Sequence, residues 1–394
     1  MRTVGTVVRG IRTPIIKKGD NLVNIVTDSL INASKKENFK FNNRDIIAIT
    51  EAVVAISENN YVHKDDIARD VNQKIKSNHI GLVFPILSRN RFSIILKGIA
   101  KSCDKITMLI SFPRDEVGNA ILHEDKLYNL GYHLGDLITE KEYNKHFLDY
   151  KHPYTGINMV KFYQQIVNEE NCEINFIFAN DPKAILKYTK DIICCDIHSR
   201  QRTKNLLLAQ NANVYDLTDI LNEENNTHGY HPKYGLLGSN KATEEVLKLF
   251  PRGGNKIVLE IQKKMAELTN KKIEVMIYGD GAFKDPSSEI WELADPVVSP
   301  AYTSGLEGHP NEIKLKYIAD NKFSNLKGNI LNNAIKTEIK NKNRNLTGKM
   351  ESQGTTPRKI TDLLGSLADL TSGSGDKGTP VVLIQNYFDS YADN

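Results

Sequence analysis

Between residues 80 and 225 the chain alternates buried-type strand patterns with amphipathic helical ones, and this leaves few folds open. "HIGLVFPIL" and "KITMLISFP" read as strands with "RFSIILKGIAKS" as a helix between them. The series continues with strand "EINFIFAND", helical "PKAILKYTK", strand "DIICCDIH", helical "RQRTKNLLLAQ" and strand "NVYDLTDI". Repeated strand–helix–strand units predict a parallel sheet covered by helices. "FPRDEVGNAILHEDKLYNLGYHLGD" breaks the pattern and reads as an irregular lid or rim.

The flanks read differently. "TVGTVVRGI" and "DIIAITEAVVAI", from Asp45 to Ile56, have the pattern of strands. Between them "GDNLVNIVTDSLINAS" has helical spacing after a candidate cap at Asp20, and "KDDIARDVNQKI" predicts a further helix. Residues 229–256 are dense in glycine and proline, marking a boundary or a functional loop region. Helical "KIVLEIQKKMAELTN", strand "KKIEVMIYGDGAF" and a last helix "KITDLLGSLADL" leading into strand "PVVLI" complete the chain. The expected class is α+β or α/β, divided into 1–78, an enlarged α/β region 79–228, and 229–394.

With 394 residues, 25% charged and 40% hydrophobic, the chain has the composition of a globular protein. A net charge of +4 gives no argument for nucleic-acid binding. No apolar run reaches spanning length, and the N-terminal segment has no signal-peptide pattern, so a cytoplasmic protein without membrane contact is expected. Four cysteines, two of them adjacent at 194 and 195, have neither zinc nor redox spacing and read as buried thiols.

Several stretches carry candidate chemistry. In "VMIYGDGAFKDP" a strand ends at Asp280, with Asp285 five residues on; both suit a hard cation, and both also suit a turn. In "KYGLLGSNKATEE" the glycines allow close backbone approach, and Ser239 or Asn240 is a candidate cap for a helix through "ATEEVLKLF" that would receive an anion. "SGSGDKG" lacks the order of a P-loop; it reads either as a surface connection or as a nest of amides around phosphate. There Asp376 is a candidate metal ligand and Lys377 a candidate partner for an oxyanion. His228 with His231, and Glu307 with His309 and Glu312, are polar groups without a decisive metal spacing.

Four of these stretches together resemble the coenzyme F420-0:γ-glutamyl ligase family. They are "GIRTPIIKKGDNLVNIV", "RDIIAITEAVVAISEN", "YGLLGSNKATEEVLKLFPRG" and "ADLTSGSGDKGTPVVLI". The resemblance implies that family's fold with an inserted α/β region, and a ligase joining L-glutamate, or a similar amine, to a carboxylated acceptor. It further implies GTP as cosubstrate, Mg²⁺ or Mn²⁺, an acyl phosphate and a homodimer. By position it puts Thr13, Pro14, Ile15, Ile16, Ser239, Asn240, Gly373, Ser374, Gly375 and Gly378 on the nucleotide. Asp280, Asp285 and Asp376 fall to the metal, and Asp280 and Lys377 to catalysis. The family's metal aspartate three places before Asn240 is Leu237 here. Its strand-end Asp-Thr pair is Gly279–Asp280, and its C-terminal glutamate is Ser374. Its Ser-Thr pair and following lysine are Glu51–Ala52 and Ile56. Two readings stay open: a ligase acting on the deazaflavin, a folate-like or another acceptor, and a non-catalytic nucleotide- or metabolite-binding homologue.

Overall fold

A computed structural model describes residues 3–153, 155–279, 282–284, 291–293, 298–352, 359–372 and 376–393, with backbone alone for 282–284, 291–293 and 298. The strands are β1 (Val7–Ile11), β2 (Ile46–Thr50), β3 (Tyr61–His63), β4 (His79–Val83), β5 (Lys105–Ile110), β6 (Ile138–Thr139), β7 (Glu173–Phe178) and β8 (Asp191–Cys194). They continue as β9 (Asn213–Asp216), β10 (Asn240–Lys241), β11 (Val246–Lys248), β12 (Glu274–Gly279), β13 (Ala282–Lys284), β14 (Trp291–Leu293), β15 (Val298–Tyr302) and β16 (Val381–Gln385). The first four helices are α1 (Leu22–Lys36), α2 (Glu51–Glu58), α3 (Lys64–Lys74) and α4 (Arg91–Ala100).

One sheet has the order β1-β16-β2-β12-β15, with β2 and β12 parallel and every other neighbouring pair antiparallel. Its register sets Ile11, Val381, Ile49, Ile277 and Ala301 abreast in one row. That row packs against α1 and the helix Gly254–Thr269. Residues one step along, such as Ala48, Met276 and Val382, face the helix Ile360–Ser372 on the other side. Successive side chains alternate between faces, so a sheet with both faces covered needs the continuous apolar runs seen in β2, β12 and β16.

The second sheet, β6-β7-β5-β4-β8-β9, draws all its strands from residues 138–139 and 79–216. Its five long strands run parallel, with β6 antiparallel at the edge. The strands expected from the sequence form, as do the helices at α4 and Arg200–Leu208, whereas "PKAILKYTK" makes only the 3-10 turn Pro182–Lys187. A third, antiparallel sheet β10-β11-β3 lies between these two, and β13 and β14 form a hairpin.

Three sequence expectations are corrected. The strand expected over Asp45–Ile56 stops at Thr50, where α2 begins; a short apolar run satisfies both patterns until its neighbours decide. The helix expected through "ATEEVLKLF" is the β10–β11 hairpin, because Val246–Lys248 pairs with Tyr61–His63, and that pairing overrides the local helical spacing. Consequently Ser239 and Asn240 cap no helix. The α1 cap is Asn21, whose side chain accepts from the Asn24 amide, while Asp20 accepts from the Lys17 amide one turn earlier.

Cys172, Cys194 and Cys195 are buried as expected and Cys103 is partly so. Next to Cys195, Asp196 is also buried. One of its carboxylate oxygens accepts from the Ser199 and Thr203 hydroxyls, and the other has no partner among the described residues. Burial pushes its carboxyl up to about 6. A carboxyl raised on folding stabilises the protein fully below its unfolded value and loses that contribution as pH climbs through the folded one. From pH 4 to pH 8 the protein is therefore expected to lose roughly 2 kcal/mol through this group. Asp196→Asn should flatten that part of the profile, read as urea midpoints at the two pH values. Parallel profiles for variant and wild type would show that Asp196 does not titrate in this window.

Candidate functional site

The site forms along one edge of the five-stranded sheet. The carboxyl ends of β1, β2 and β12 and the amino end of β16 all reach it, and backbone bonds lock them together. The Thr13 amide donates to the Gly378 carbonyl at 3.2 Å, and the Thr50 amide to the Pro380 carbonyl at 3.0 Å. Ser372 is held from two sides. Thr379 Oγ1 donates to the Ser372 carbonyl at 2.8 Å, and Tyr278 Oη to Ser372 Oγ at 2.9 Å.

Glu51, the first residue of α2, stands at the centre of this edge and is buried. Its Oε1 accepts from Asn240 Nδ2 at 2.9 Å and its Oε2 from Thr50 Oγ1 at 3.1 Å. A Cβ on Gly279 would lie 2.9 Å from the Glu51 carboxyl carbon, so a larger residue at the end of β12 would push this carboxylate aside. Two further groups share its field. Asp369, from the helix Ile360–Ser372, is raised above the usual aspartate range by burial and then by the nearby Glu51 charge. Lys248, opposite Asn240 in the β10–β11 hairpin, is lowered by burial, and Glu51 opposes that lowering. Two crowded carboxylates and a half-buried ammonium store charge that a polyanionic substrate and a cation would rearrange.

The segment carrying Asn240 is held by packing and by one buried amide. Asn60 Nδ2 donates to the Phe250 carbonyl at 2.6 Å, and Asn60 Oδ1 accepts from the Tyr230 amide at 3.1 Å. Gly238 has φ +73°, and a Cβ there would fall 1.9 Å from the Phe250 ring. The bend before Asn240 thus requires glycine twice over, for conformation and for space.

A comparison with protein families matches residues 10–386 to F420-0:gamma-glutamyl ligase. The chain belongs to this family. The matched span includes the whole six-stranded sheet and the five-stranded sheet apart from the start of β1, and the mixed α/β architecture is the family's. Among curated proteins no significant match is found.

Of the residues that the sequence singles out in this ligase-family chain, Thr13, Pro14, Ile15 and Ile16 run along the sheet edge. Ile16 is buried and Ile15 is 82% exposed. Asn240 reaches Glu51, whereas Ser239 is fully buried and lines a cavity against the six-stranded sheet. Asp376, Lys377 and Gly378 are exposed at the mouth of the edge, with Gly378 at φ +66°. Asp280, Asp285, Gly373, Ser374 and Gly375 lie outside the described residues. His231 has a structural part: its Nδ1 accepts from the Lys233 and Tyr234 amides, and burial pushes its ring down to about 4. Glu307, His309 and Glu312 line a separate cleft of about 430 Å³ with Tyr387 and Phe388.

Lys248 and Asp369 are site groups that the sequence did not disclose, and Glu51 was reached only as the position of the family's Ser-Thr pair, with no role of its own. Glu51 was hidden in a stretch that reads as strand, and Lys248 in one that reads as helix. Asp369 is one polar residue of an amphipathic helix. Among the described residues no three His, Cys, Asp or Glu side chains form a ready cation cluster. Glu51 and Asp369 nevertheless offer the carboxylate oxygens that Mg²⁺ or Mn²⁺ takes, which needs only one or two protein carboxylates when substrate phosphates supply the rest.

Proposed function

We propose that this family member is a GTP-dependent and divalent-cation-dependent ligase that joins L-glutamate, or a similar amine, to a carboxylated acceptor. The observation that carries the reading is the convergence of Glu51, Asn240, Lys248 and Asp369 on the sheet edge where the Thr13–Ile16 segment and Gly378 also arrive. Thr13–Ile16, Asn240 and the Gly373–Gly378 loop line the nucleotide. Glu51, Asp369 and Asp280 are the residues to hold the cation, with Asp376 and Asp285 in reserve at the loops. When bound, a Mg²⁺ or Mn²⁺ neutralises charge between the phosphates and the carboxylates.

The chemistry requires an activated acyl group, because a free carboxylate is a poor electrophile. An acceptor carboxylate oxygen attacks the γ-phosphorus of GTP, forming an acyl phosphate and releasing GDP. The amine nitrogen then bonds to the acyl carbon, and inorganic phosphate leaves with the C–O electron pair. The amine gives up one proton in that step, which passes to water. Lys248 and Lys377 offset the negative charge that builds on the transferring phosphoryl group.

A second reading, a binding protein that has lost ligation, is favoured by one observation. Leu237, where the resemblance places a metal aspartate, is a buried apolar residue. Thermal shift with GTP and Mn²⁺, followed by glutamate-dependent phosphate release across a panel of carboxylic acids, decides between them. Stabilisation with turnover is the expected result. Stabilisation without turnover on any acid would establish the binding protein instead.

A further inference from the structure

The six-stranded sheet has a site of its own. Its parallel strands follow the order β7-β5-β4-β8-β9, so the first strand, β4, lies between β5 and β8, and the winding reverses beside it. Crevices at the carboxyl ends of strands at such a reversal are where open α/β sheets take ligands. A cavity of about 260 Å³ occupies that place. Its lining is mostly apolar, with Ile95 from α4, Cys195 and Ile197 after β8, and Leu237 from the segment before Asn240, and it also carries the polar Ser88, Asn90 and Asn119. Its polar end holds Arg91, at the start of α4, and Ser239.

Two observations point to an occupant. Ser239 is fully buried, and its hydroxyl finds no hydrogen-bond partner among the described residues. A buried hydroxyl left unpaired costs about 1–3 kcal/mol, so it marks a place where a polar atom belongs. The cavity's polar end also connects to the sheet edge. Arg91 Nε donates to Asn240 Oδ1 at 3.2 Å, and Asn240 Nδ2 donates to Glu51 Oε1 at 2.9 Å. A dinucleotide does not fit: the turn after β4 reads "VFPILSRNR", with no glycine to let a pyrophosphate approach the backbone, and the volume is small.

We propose that this cavity is the acceptor subsite. It takes a carboxylic acid with a compact apolar body, seated against Ile95 and Leu237, whose carboxylate is held by Arg91 and the Ser239 hydroxyl, one asparagine away from Glu51. The proposal rests on the ligase reading for its role in the reaction, and it accounts for Leu237: this segment serves as an apolar wall.

The test uses the full-length protein and a panel of alkyl and aryl carboxylic acids of six to twelve carbons, each with its matching alcohol, measured by calorimetry. At least one acid is expected to bind ten times more tightly than its alcohol. Ile95→Trp, which fills the cavity, should weaken that acid at least tenfold. Ser239→Ala removes a hydroxyl that has no partner among the described residues, and so keeps the fold intact; it should weaken the acid about tenfold. Panel acids that bind no better than their alcohols, or wild-type affinity in the Ser239→Ala protein, would overturn the assignment. Thermal shift with GTP and Mn²⁺ on the same preparation separates the two ideas. Acid binding without a GTP shift sinks the ligase reading and leaves the subsite standing; a GTP shift without acid binding does the reverse.

Discussion

Glu51→Gln is expected to lower glutamate-dependent phosphate release by a factor of a hundred or more while leaving the protein folded. Glutamine keeps the shape of the side chain, and its carbonyl oxygen still accepts from Asn240 Nδ2, so the contact at 2.9 Å survives. What is lost is one negative charge at the centre of the sheet edge. If Glu51 helps to hold the cation that neutralises the phosphates, losing it removes transition-state stabilisation of about 2.7 kcal/mol or more, which is a hundredfold in rate. The same substitution should bring Asp369 closer to the ordinary aspartate range, because the Glu51 charge is one cause of its upward shift. A Glu51→Gln protein that turns over within threefold of wild type, at saturating Mn²⁺, would remove Glu51 from the site.

Lys248 gives the second large effect. Lys248→Met keeps the apolar stem that packs in the hairpin but removes the ammonium, and a ten- to hundredfold loss of turnover is expected. The pH profile supplies an independent check. Burial lowers this lysine, so its proton leaves at lower pH than that of an exposed lysine. Activity that needs the cation must therefore fall on the alkaline side as pH rises through that lowered value. Lys248→Arg, which stays charged throughout, should retain part of the rate and abolish the alkaline fall. Persistence of the same fall in the arginine variant would assign it to another group.

The sheets were far more legible in the sequence than the site. Period-two and continuous apolar runs name β4, β5, β7, β8, β9, β12 and β16 directly, since burial on both faces leaves no other use for such residues. The order of the strands is a different matter, because crossovers of similar length fit several arrangements. The role of Glu51 and the place of Lys248 were missed for one shared reason. Each lies where local spacing and tertiary pairing disagree: Glu51 at a strand-to-helix change inside the apolar run "IIAITEAVVAI", Lys248 in a helical-looking run that pairs with β3. Asn240 was found because it falls in a glycine-rich loop whose composition signals close approach, although its partner was not foreseeable. Its neighbour Ser239 faces the other sheet, a division that one residue of chain cannot announce.

The place of β16 has a consequence for how the chain is made. This strand lies between β1 and β2, so the five-stranded sheet is completed only when residues far downstream of both have been made; Gln385 bonds to Asp45 across 340 positions. On the ribosome the six-stranded sheet has all its strands once residue 216 has emerged, and it can assemble early. β1 and β2 must wait with open edges until Val381–Gln385 arrives, a long interval during which a chaperone, or a neighbouring chain, can occupy the slot.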